Sequence, residues 1–148
     1  MKRILCLTVV AALVAAAVAM AAKPVKGATY TGTIVRSVGN SSFPISFKVS
    51  KNGKTVSGFK LANDYPIYCQ GGGFPTLGTG RAAKISKKGT FMEKLPLKSV
   101  RSPGTGEGSV IITGKFAGHG SVSGKVKTDI GGTTFKNCNG TSPFTAAK

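Results

Sequence analysis

From Ala28 onward the chain alternates apolar and polar residues in short runs separated by clusters of Gly, Asn, Pro and Ser. Apolar residues at every second position mark half-buried strands, whereas a helix repeats them roughly every 3.6 residues. No stretch after Ala22 sustains the helical repeat over a helix's length. The pattern predicts strands over 28–36, 44–50, 55–61, 66–70, 81–86, 90–98, 109–117, 121–128 and 133–137, with a short last strand over 143–147. Turn clusters recur about every 8–12 residues, the rhythm of a sandwich or barrel. The expectation is an all-β fold, a single antiparallel β-sandwich or flattened β-barrel of about nine to ten strands built from successive hairpins.

Two hairpins test how far the pattern sets register. Around Lys51, Asn52, Gly53 and Lys54, a two-residue Asn-Gly loop would oppose Val49 to Val56 but set Ile45 against Lys60. A three-residue loop from Lys51 to Gly53, with Gly53 left-handed, puts Ile45, Phe47 and Val49 on one face with Ser57, Phe59 and Leu61. A one-residue slip would turn every side chain over, so the second register is expected. At the Gly118-His119-Gly120 turn, pairing Phe116 with Val122 sends Ile112, Gly114, Phe116, Val122, Gly124 and Val126 inward. Thr113, Lys115, Ser123, Lys125 and Lys127 then face out. The glycine-rich stretch 70–80 and the segment VRSPGTGEG over 100–108 read as long loops, where binding residues tend to concentrate.

The first residues follow a different pattern. Lys2 and Arg3 precede an apolar, alanine-rich run over 4–20, and Ala19-Met20-Ala21 offers a small-x-small cleavage signal. The expected organisation is a signal peptide over 1–22, cleaved after Ala21 or Ala22, and one exported domain over 23–148. No membrane span is expected after cleavage; retention of the run as an anchor is the alternative. Cys6 lies at the front of this run and leaves with it. Cys69 and Cys138 remain, and an even cysteine count in an exported chain reads as one disulfide. A pair of metal-ligating thiolates would need close spacing or histidine partners, and His119 is the only histidine.

Charge changes the picture most. The 148 residues carry 21 Lys+Arg against 4 Asp+Glu. Removing Lys2 and Arg3 leaves 19 basic residues against 4 acids, a net charge of +15. Arginine contributes only Arg36, Arg81 and Arg101 to the mature chain. Sequence-specific nucleic-acid contacts favour arginine's bidentate fork, so they are not expected here. Dispersed lysine suits diffuse, salt-sensitive attraction to a polyanion. The candidate contacts are Lys48, Lys60, Lys115, Lys125 and Lys127, with an anionic cell-envelope polymer as partner. Solubility and protection of strand edges are the competing account.

Catalytic chemistry finds little material. His119 sits between two glycines, with Ser121 and Ser123 nearby but no local carboxylate to orient its ring. Asp64, Glu93, Glu107 and Asp129 are scattered among lysines and read as surface ion-pair partners rather than a glycosidase pair. Gly53-Lys54-Thr55 lacks the upstream glycine and the helix of a phosphate loop, and no dinucleotide fingerprint occurs, so no cofactor is expected. Tyr68 and Phe74 are the plausible exposed rings, too few for a stacking platform. The sequons at Asn40 and Asn139 matter only in a eukaryotic secretory path.

The segments ATYTGTI, PISFKVSKNGKTVSGFKL, CQGGG, AKISKKGTF, ITGKFAGHGSVSGKVK and NCNGTSPFTAAK together resemble a group of small exported bacterial proteins of the high-GC Gram-positive type. The likeness covers nearly all of 27–148. It implies an all-β fold and a Cys69–Cys138 disulfide, and it carries over no catalytic or binding residue. Where the group often ends in Trp, this chain has Phe144. The leading expectation is a non-enzymatic secreted or cell-envelope protein. The alternative is a small-ligand or carbohydrate-binding module using the loops 71–80 and 101–108.

Overall fold

The computed structural model describes residues 22–35, 42–61, 76–77, 80–98, 108–130 and 140–148. The strands are β1 (Thr29–Val35), β2 (Ser42–Val49), β3 (Thr55–Leu61), β4 (Thr76–Leu77), β5 (Ala83–Lys84), β6 (Thr90–Lys98), β7 (Gly108–Ala117), β8 (Ser121–Ile130) and β9 (Gly140–Ala147). All lie in one antiparallel sheet, ordered β4-β6-β7-β8-β9-β1-β2-β3-β5. The sheet curls until β5 meets β6, so it is nearly closed into a barrel, and the described strands form no second, facing sheet.

The expected strands over 66–70 and 133–137 lie outside the described residues. The one expected over 81–86 shortens to Ala83–Lys84, while Thr76–Leu77 pairs with Lys98 and Leu97 inside a stretch expected to be loop.

Closure is driven from inside. Tyr30, Ile34, Ile45, Phe47, Val49, Val56, Phe91, Ile112, Phe116, Val126 and Phe144 are buried inward residues of β1, β2, β3 and β6 to β9. Phe47 is the hub. Its ring stacks on Tyr30 at 5.4 Å and tilts against Phe59 at 5.2 Å and Phe91 at 5.5 Å. The contact with Phe91 spans the barrel from β2 to β6, tying together strands that share no hydrogen bonds. Aromatic pairs of this kind add about 0.5–1.5 kcal/mol each beyond area burial.

The hairpin expectations fare differently. Phe116 opposes Val122, and Lys115, Ser123, Lys125 and Lys127 are exposed, as their alternation implies. In the β2–β3 hairpin both registers occur. Next to the turn Val49 opposes Val56 and both are fully buried, the parity the sequence argument rejects. Further along, Ile45 opposes Leu61 and Ser46 opposes Lys60, the parity it prefers. Gly58 and Phe59 together face Phe47, and Gly58 takes φ +66°. This bulge lets both Val56 and Phe59 reach the interior. Ser57 therefore pairs outward with Lys48 rather than inward, and the loop is not a three-residue one, although Gly53 is left-handed at φ +74°.

The tight connections β2–β3, β5–β6 and β7–β8 share one end of the barrel with Ala22 and Lys148. The ends of β3, β6 and β8 and the starts of β2, β7 and β9 lie at the other.

A lysine-lined groove on the outer wall

The outward residues of β5 to β8 surround an open groove of about 680 Å³. Across the sheet, Thr90, Lys115 and Ser123 form one row, and Met92, Thr113 and Lys125 the next. Lys84 and Ser86 close the side that meets β6. Three ammonium groups and several hydroxyls thus surround the hollow, and among the described residues no carboxylate lines it. Met92, 67% exposed, gives it an apolar patch.

Two glycines shape this wall. Gly114 pairs with Gly124, and a Cβ on either would run into an aromatic ring, Phe91 at the first and Phe144 at the second. Without side chains there, the rings press close against the sheet's inner surface. Glycine at such points marks a bend or close approach in a barrel strand.

The five lysines singled out by sequence divide between two places. Lys115 and Lys125 line the groove; Lys127, one outward position further along β8, does not. Lys48 and Lys60 stand on β2 and β3, separated from β8 by β9 and β1. Lys84 joins the groove although it was not singled out. Its outward parity next to buried Ala83 was visible in sequence, but the proximity of β5 to β6 depends on closure.

A second hollow of about 420 Å³ spans β8, β9 and β1, lined by Thr31, Thr33, Ser121, Ser123, Thr145 and neighbouring backbone. Among the described residues its lining bears hydroxyls and no charge.

His119 occupies the β7–β8 turn, exposed, at φ 61°. The Ser121 hydroxyl donates to the Gly118 carbonyl at 2.9 Å, which commits it to the turn. Among the described residues no three His, Cys, Asp or Glu gather as metal ligands.

Glu93 corrects the reading of all four carboxylates as surface groups. It shares the inward parity of Phe91, Leu95 and Leu97 and is 5% exposed. Its carboxylate accepts a hydrogen bond from the Arg81 backbone and lies against Gly80. Burial pushes its pKa up, partly offset by the Arg81 hydrogen bond. Cys69, Cys138, Asp64, Glu107, Tyr68 and Phe74 lie outside the described residues, as do both sequons' asparagines, 71–75 and 101–107.

No helix among the described residues is long and apolar enough to cross a membrane. The chain matches no protein-family model, no curated protein and no solved structure.

Proposed function

We propose that the protein is an exported, non-enzymatic β-domain of the cell surface that holds an anionic envelope polymer in the β5–β8 groove. The convergence of Lys84, Lys115 and Lys125 on one open, hydroxyl-bordered hollow, with no carboxylate among its described lining residues, carries this reading. Lysine supplies point charges and mobile stems, suited to a repeating phosphate or carboxylate chain rather than to one oriented ligand. The export reading rests on the basic and apolar N-terminal pattern, and the non-enzymatic one on the single histidine and scattered acids.

A Cys69–Cys138 disulfide is part of the same reading. The end of β3 at Leu61 and the start of β9 at Gly140 lie at the same end of the barrel, three strand positions apart in the sheet. At about 4.8 Å per strand that is roughly 14 Å, within reach of the eight-residue lead to Cys69. The bond would close a loop of about 70 residues, worth roughly 4 kcal/mol on the chain-entropy model.

Titration against poly(glycerol phosphate) over a range of salt tests the groove. Three phosphate contacts predict log affinity falling with log salt at a slope of about −2 to −3, and Lys115→Gln with Lys125→Gln should reduce it by about 1.5. Salt-independent binding would refute the reading. The second reading, carbohydrate binding, has the neutral hydroxyl hollow in its favour; salt-independent binding of a neutral glucan would support it.

A further inference from the structure

The tight-turn end of the barrel carries a separate concentration of charge. Lys51 and Lys54 stand on the β2–β3 turn, Lys87 and Lys88 on the β5–β6 turn, Lys23 and Lys26 on the segment leading into β1, and Lys148 beside the β7–β8 turn. All seven side chains are exposed. The described acids lie elsewhere: Glu93 is inside the barrel and Asp129 is near the far end of β8.

These lysines stand on ordered turns. The Ser50 hydroxyl accepts the backbone N–H groups of Lys54 and Thr55 at 3.2 and 3.0 Å. Ser86 does the same for Lys88 and Thr90 at 3.2 and 3.1 Å. The segment 22–28 crosses the end between the two turns. Gly27 donates to the Ser50 carbonyl, the Lys26 side chain lies over Gly53, and the Ala22 carbonyl lies beside Gly89. The N–H of Val25 meets the buried Tyr30 hydroxyl at 3.0 Å, anchoring the segment to the core.

The lysines are therefore distributed around the barrel's circumference, not along a line. A linear polymer follows a groove; charges around a tip match a plane of anionic groups. The apolar run over 4–20 joins the domain at this same end, through Ala22. We propose that this end docks on an anionic lipid bilayer, with Lys23, Lys26, Lys51, Lys54, Lys87, Lys88 and Lys148 against the headgroups. A polybasic patch draws a domain to an anionic surface by itself, and in the uncleaved chain the adjoining apolar run adds the second signal that stable membrane association requires. If the run is cleaved after Ala21 or Ala22, the new α-ammonium adds a charge to the same surface. Face and partner both differ from those of the groove.

The test uses the full chain with vesicles of phosphatidylcholine, alone or with about a third phosphatidylglycerol. The apolar run contributes to both, so the preference for anionic vesicles isolates the lysines. K51E/K87E/K88E should lower that preference about tenfold or more, and K60E/K94E/K127E, with the same charge change on the side wall, less than about threefold. Circular dichroism checks that both variants fold, and the corresponding Gln variants replace any that do not. Equal losses in the two variants, or no anionic preference in the parent, would overturn the proposal. So would loss of soluble poly(glycerol phosphate) binding by the end variant with its vesicle preference intact. Groove variants at Lys115 and Lys125 should leave vesicle preference within about threefold, so failure of either proposal is visible by itself.

Discussion

The β6–β8 wall and the β9–β1 wall share a sheet, a register and a core, yet present different outer chemistry. One outward row runs Thr90, Lys115, Ser123, Thr145, Thr33 and Pro44 across six strands. Behind the first wall lie Phe91, Ile112 and Phe116; behind the second, Phe144, Tyr30 and Ile34. Outside, the first carries Lys94, Lys115, Lys125 and Lys127, whereas the second carries Thr29, Thr31, Thr33, Thr141 and Thr145 with no charge. Threonine fits an exposed strand as well as lysine does, so strand formation imposes no such division. A requirement for solubility alone would also be met by lysines spread over both walls. The uncharged β9–β1 wall separates the groove lysines from Lys48 and Lys60, and the clustering of Lys84, Lys115 and Lys125 on one hollow is what favours a partner there.

The largest effect should come from a substitution that ignores the division. Phe47 is 1% exposed and touches Tyr30 behind the neutral wall and Phe91 behind the charged one. Phe47→Ala should destabilise the domain by about 3–5 kcal/mol in chemical denaturation. Polymer affinity of the protein that remains folded should be unchanged. A loss below about 1 kcal/mol would mean that the two walls are held separately.

The next effect separates the walls by their inner surfaces. Gly124→Val would drive a side chain into the Phe144 ring and the Thr113 carbonyl, with an expected cost of about 1–3 kcal/mol. Thr33→Val, on the outer face of β1, should change stability by less than about 0.5 kcal/mol. Equal effects would show that the glycine seam does not shape the wall.

How much of this the sequence disclosed depended on the distance over which each feature is decided. The β7–β8 register needed only local alternation around a short turn, and Phe116 opposite Val122 follows from it. The β2–β3 register could not be read by counting from the turn, because the bulge at Gly58 changes parity within the strand. Glu93 was legible from its parity with Phe91, Leu95 and Leu97, but its charge suggested a surface position. The groove required Lys84, whose distance in sequence from Lys115 and Lys125 is bridged only by the curl bringing β5 to β6. The uncharged sector was equally hidden, since β9 and β1 come from opposite ends of the described chain.

Moving charge between the walls sharpens the comparison further. Thr33→Lys with Thr145→Lys adds two ammonium groups to the neutral wall. If the groove is the site, polymer affinity should rise by less than about threefold, while Lys115→Gln with Lys125→Gln lowers it about tenfold at low salt. If only total charge matters, the two changes should be of similar size and opposite sign. Affinity measured for both variants at matched ionic strength decides between these outcomes.

The smallest effect concerns the one carboxylate turned into the charged wall's interior. Burial raises the pKa of Glu93 above its usual value, so the folded state holds this proton over a pH range in which the unfolded chain has released it. The folded state then binds more protons, and stability falls as pH rises through that range. Glu93→Gln removes the titration while retaining an oxygen that can accept the Arg81 backbone hydrogen bond. Its unfolding free energy should therefore decline less than the parent's as pH rises from the acid side through the raised pKa. The difference between the two should grow across that interval and level off above it. Thermal or urea unfolding over a pH series provides the measurement. Parallel profiles would mean that Glu93 titrates alike in the folded and unfolded chains, leaving the interiors behind the two walls electrostatically equivalent.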